Sequence, residues 1–101
     1  MIYFVDIDDT ICFNNNDKTN YRLAKPYNER IKKINDLFDK GNTIIYWTAR
    51  GTLTGINWFD VTIKQLNKWN CKYNELRMGK PYYDIFIDDK NINSDIFFNA
   101  D

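Results

Sequence analysis

The chemistry-bearing residues of this chain stand where apolar runs end. Asp6, Asp8 and Asp9 follow the apolar residues 2–5, Thr48, Ala49 and Arg50 follow residues 43–47, and Asp88 with Asp89 follow residues 84–87. Like carboxylates at the mouth of a buried strand repel one another, and each is costly to desolvate. Such a cluster calls for a cation. The sequence contains no histidine, so an oxygen-only ligand set suits a hard ion such as Mg²⁺ rather than zinc. The same absence removes Ser-His and Cys-His hydrolase mechanisms and leaves acid–base work to carboxylates, Lys or Tyr.

Composition narrows the classes that remain. With 101 residues, 44% hydrophobic and 28% charged, the sequence reads as one globular domain over residues 1–101 with a modest core. Its formal net charge is zero, and its bases are scattered among acids, which gives nucleic-acid binding little support. No apolar stretch nears the ~20 residues of a membrane span. The N-terminal residues lack the pattern of a secretory leader, so the expected location is cytoplasmic and away from membranes. Cys12 and Cys71 are the two cysteines, expected as free thiols.

Strand and helix patterns alternate, which predicts an α/β domain with a mainly parallel sheet. Residues 2–5 form an apolar run suited to a strand covered on both faces. Residues 14–25 are polar and Asn-rich, read as a loop or flap. Helical spacing of Tyr27, Ile31, Ile34, Leu37 and Phe38, with Pro26 at the start and Gly41 just past the end, predicts the first helix. Residues 43–47 predict a second strand. Asn57 and Asp60 resemble a capping box before Trp58, Val61, Leu66 and Trp69, giving a helix to about Asn70. A short third strand is expected around residues 73–77 and a fourth at residues 84–87. The tail over residues 91–98 predicts a short helix or turn packing Ile92, Ile96 and Phe97.

In open parallel sheets the ligand crevice lies beyond the carboxyl ends of the strands, at the point where strand order reverses. A Rossmann-like three-layer sandwich with strand order 4-1-2-3 would make Asp6 and Asp88 neighbours at that reversal. Asp84 would lie at the far end of its strand, four residues of ~3.3 Å away from Asp88, and reads as structural.

Taken together, Asp6-Ile7-Asp8-Asp9-Thr10, Thr48, Lys80 after Gly79, and Asp88-Asp89 resemble the four motifs of the haloacid dehalogenase superfamily, in the expected order over nearly the whole chain. Within it, "WTARG" and "ELRMGKPYYDIFIDD" are similar to capless phosphatases of bacterial capsule and surface-polysaccharide biosynthesis. The resemblance implies an Mg²⁺-dependent phosphomonoester hydrolase acting on a sugar phosphate. In it Asp6 is the nucleophile that forms an aspartyl-phosphate, and Asp8 the general acid, then base. Mg²⁺ is held by Asp6, the Asp8 backbone carbonyl and Asp88, with Asp89 in support. Thr48, Ala49 and Lys80 hold the phosphoryl oxygens, partly through backbone N–H groups.

The residues also carry plainer readings. Arg50 is placed equally well as a substrate contact or a cap of the following loop, and Arg77 as structural. Cys12 lies near the site without an activating base. Trp47, Trp58 and Trp69 fit core spacing better than a base-stacking platform. Residues 13–25 are too few for a folded cap, so the site should be open, accepting a bulky substrate or borrowing a wall from a second copy or a partner enzyme. The competing functions are a phosphatase of nucleotides or polynucleotide ends and a catalytically silent binding protein.

Overall fold

A computed structural model describes residues 1–15 and 17–100. Asn16, inside the expected flap, lies outside the described residues. The elements in chain order are β1 (Ile2–Val5), β2 (Cys12–Phe13), a 3₁₀ turn (Tyr21–Leu23), β3 (Lys25–Pro26), α1 (Asn28–Asp39), β4 (Thr43–Trp47), α2 (Phe59–Lys68), β5 (Glu75–Arg77) and α3 (Ser94–Asn99). The result is a small α/β fold with a parallel three-stranded sheet in the order β1-β4-β5 and three α-helices. β1 and β4 match the expected strands; the third is shorter than expected.

Register decides which side chains share a face. Tyr3 lies beside Ile44 and Val5 beside Tyr46, while Tyr46 pairs with Leu76. These residues pack in one core with Ile31 and Ile34 of α1, Leu66 of α2 and Phe98 of α3. All three helices therefore cover the same face of the sheet. Burying one such side chain is worth about 1.5–3 kcal/mol, which is why the helical faces with 3.6-residue spacing decide the packing.

The other face carries Ile2, Phe4, Ile45, Trp47, Glu75 and Arg77 by the same registers, and of these Ile45, on the central strand, is buried. Ile2 is 69% and Phe4 51% exposed. β1 is thus covered on one face, not two, and the described helices form a single layer against the sheet. Apolarity alone could not separate these cases, because Phe4 finds partial cover from its neighbours: its ring meets Trp47 edge-on at 5.8 Å, and Arg77 lies 5.2 Å from its centroid.

Residues 84–87 form no ladder and are all exposed. Among the described residues the parallel sheet therefore has three strands, and the segment 84–87 faces β1 across a cavity. Pro26 sits in β3, opposite Cys12, rather than opening α1, which begins after Tyr27. Two-residue strands β2 and β3 close the base of the loop that precedes α1. α3 packs through Phe97 and Phe98, whereas Ile92 and Ile96 are exposed. Trp58 is buried, but Trp47 lies on the open sheet face. No described helix is long and apolar enough to cross a membrane.

Candidate active site

Asp6 begins where β1 ends, and Thr48 where β4 ends, so the parallel register brings both to the carboxyl edge of the sheet. Beyond Asp6 the chain curls back at once. Ile11 N–H donates to the Ile7 carbonyl at 2.9 Å, and Asp9 N–H donates to the Cys12 carbonyl at 2.8 Å. Asp9 takes a left-handed φ of 59° to make that turn, a conformation Asp tolerates better than most residues. Asp6, Asp8, Asp9, Thr48, Ala49 and Arg50 line one cavity of about 230 Å³. Lys18, Tyr21 and Asn14 from the intervening loop complete its wall.

Lys80 is anchored to the same edge by its backbone. Its N–H donates to the Thr48 carbonyl at 3.0 Å, and its own carbonyl accepts from the Thr52 hydroxyl at 2.7 Å. The Lys80 ammonium then stands 3.8 Å from Asp6 Oδ1. Burial pushes the Asp6 carboxyl above its ordinary value, opposed first by Lys80 and then by the Ile7 N–H, while Asp8 and Asp9 add to the rise. An anion near this edge meets a fixed ammonium.

Asp6, Lys80 and Asp88 also line a second, larger cavity of about 730 Å³, bounded by β1 and the segment after Lys80. Asp6 belongs to both cavities. Asp88 is fully exposed; its carboxyl is lowered by a hydrogen bond from Asp89, whose own is raised in exchange. Among the described residues no three acidic, Cys or His groups converge as a metal cage. Asp88 lines the larger cavity and Asp8 the smaller, with Asp6 common to the two.

Arg50 turns inward from the strand end. Its side chain is fully buried, and it grips the Asp8 carboxylate with two donors, Nε to Oδ2 and Nη2 to Oδ1, each at 2.9 Å. Nη1 donates to Thr62 Oγ1 at 3.1 Å and Gln65 Oε1 at 2.6 Å, and the guanidinium stacks 4.8 Å from the Tyr21 ring. A bidentate pair of this kind fixes the plane of the carboxylate as well as its place. Sequence reasoning missed Thr62, Gln65 and Tyr21. The signal was Thr62 and Gln65 at i and i+3 on the face of α2 that also carries Leu66, where polar groups need a buried partner. The Cys12 thiol, 3.5 Å from Asp8 Oδ1, is pushed far up by burial and is inert as a nucleophile at neutral pH.

A likeness is found in structure rather than in sequence. No family model matches the chain, and no curated relative does. A crystal structure of a target protein from Vibrio cholerae matches with a TM-score of 0.86 at 24% identity, over 99% of this chain and 89% of that one. The two share a fold. At that identity the likeness extends to architecture and no further.

Proposed function

We propose that this protein is a phosphomonoester hydrolase that works through an aspartyl-phosphate on Asp6. The observation that carries the reading is the meeting of Asp6, Thr48, Ala49 and Lys80 at one sheet edge, with the Lys80 ammonium 3.8 Å from the Asp6 carboxylate. Asp6 attacks phosphorus, the bond to the leaving alcohol breaks, and Asp8 supplies the proton that the alkoxide takes. Water then cleaves the acyl-phosphate while Asp8 receives its proton, and inorganic phosphate departs. Arg50 holds Asp8 in one orientation through both steps. Lys80 and the backbone N–H groups after Thr48 offset the phosphoryl charge, which such transfers need more than covalent machinery.

An oxygen-only donor set without histidine fits Mg²⁺, and Asp6 and Asp88 already line a common cavity. These two side chains and the Asp8 carbonyl are the groups that would hold it. When bound, the ion neutralises carboxylates and phosphate together. The finer fold belongs to the same proposal: the free edge of β1 takes a fourth strand with the sequence of residues 84–87, giving the order 4-1-2-3 of a Rossmann-like, capless core and setting an Asp88 carboxylate beside Asp6. The proposed substrate is a sugar phosphate of nucleotide-sugar or polysaccharide synthesis, resting on the motif resemblance.

The test is a screen of sugar phosphates, mononucleotides and 3′-phosphorylated oligonucleotides with Mg²⁺, reading phosphate release by the native chain, Asp6→Asn and Lys80→Ala. The expected result is sugar-phosphate turnover that Asp6→Asn abolishes and Lys80→Ala lowers in kcat/KM by on the order of 100-fold. Turnover surviving Asp6→Asn overturns the nucleophile, and preference for the oligonucleotide overturns the substrate.

A further inference from the structure

Residues 81–92 leave the body of the protein and meet none of it in a ladder. Every one of them is exposed, with Ile85 at 77% and Ile87 at 92%. Both ends of the segment are nevertheless tied down. Lys80 is bonded to Thr48 and Thr52, and α3 is held by an Asp95–Arg30 ion pair at 2.8 Å and by Lys33 Nζ donating to the Phe98 carbonyl at 2.7 Å. Across the 730 Å³ cavity from this arm stands β1, which among the described residues is paired on its β4 side only, with Ile2 and Phe4 beside the gap. An unpaired edge and an exposed apolar segment are each a liability in water. This chain carries both.

Surface area gives the missing occupant a size. The chain exposes 7039 Å² at 12.2 kDa, whereas a folded monomer of that mass exposes roughly 6,100 Å². The surplus, roughly 1,000 Å², matches the ~800 Å² that each partner gives to a standard interface. The arm and the edge are self-complementary, so a twofold axis satisfies both at once and closes the assembly.

We propose that the β1 edge is filled by residues 84–87 of a second copy, in a reciprocal exchange of arms. The inference rests on the proposed fourth strand and not on the proposed chemistry. In the parallel register that sets Asp88 beside Asp6, Phe86 of one copy lies next to Phe4 of the other. Ile85 and Ile87 leave solvent on association, and the sheet becomes four-stranded in each subunit.

Two measurements test it without any turnover. Sedimentation of the native chain should give twice 12.2 kDa, and Ile85→Asp/Ile87→Asp should give a folded monomer with unchanged far-ultraviolet circular dichroism, since neither side chain is packed within its own subunit. In the second, a Phe4→Cys chain is mixed with a Phe86→Cys chain, each also Cys71→Ser. The mixture should oxidise to a disulfide-linked heterodimer. A native chain that sediments as a monomer at high concentration, a dimer indifferent to the double Asp variant, or Phe4→Cys and Phe86→Cys chains that never cross-link would each overturn the exchange.

Discussion

The Arg50 guanidinium clasps the Asp8 carboxylate through two hydrogen bonds of 2.9 Å while its own side chain has no contact with solvent. A buried cation of this kind is tolerated because every face of it is occupied: Asp8, Thr62, Gln65 and the Tyr21 ring. Removing one partner of such a pair strands the other. Arg50→Lys should therefore cost about 3 kcal/mol despite keeping the charge, because an ammonium cannot reproduce the fork. In a domain of this size that lowers the melting temperature by more than about 10 °C. A double-mutant cycle with Asp8→Asn should show coupling above about 1 kcal/mol. Additive losses would mean that the two residues act separately.

Asp6 sets a pH-dependent cost on the fold. Its carboxyl is raised above 3.8, first by burial, so the folded chain favours the protonated form. The stabilising contribution is complete below 3.8 and is lost as pH rises through the higher folded value. Asp6→Asn should then be more resistant to urea than the native chain at pH 7, with the gap closing as pH falls toward 4, both measured in EDTA. A variant less stable than the native chain at pH 7 would contradict this.

Gly51 holds the turn that carries Arg50 into the interior. Its φ is +83°, and a Cβ there would collide with the Ile56 carbonyl oxygen and press on the Trp58 ring at 3.4 Å. Gly51→Ala adds left-handed strain of roughly 1–2 kcal/mol to that collision. A loss of at least about 2 kcal/mol in urea unfolding is expected, and a neutral effect would show that the loop yields.

The Cys71 thiol is pushed up to about 11 by burial, with Tyr46 only partly opposing it. Two pH units above an ordinary thiol leave about 100-fold less thiolate at pH 8. Alkylation by iodoacetamide at that pH should be slower than for a peptide cysteine by about that factor, followed by mass spectrometry. Rates equal to the peptide's would place Cys71 in water.

Sequence by itself determined the local elements and the edge on which the polar residues gather. The apolar runs at residues 2–5 and 43–47, the spacing of Ile31 and Ile34, and Gly41 past the helix end all act within a few residues of themselves, so each was legible without the fold. Asp6 with Thr48 followed from strand ends in a parallel sheet. What tertiary structure alone decided are relations across long separations. That Arg50 belongs to Asp8, forty-two residues earlier, depends on how α2 seats against the sheet, and no local pattern encodes that angle. That the helices cover one face only, and that residues 84–87 stand away from β1, depends on competition among apolar surfaces. Hydrophobic burial is non-directional: it says how much must be covered, and only the assembled chain says by what.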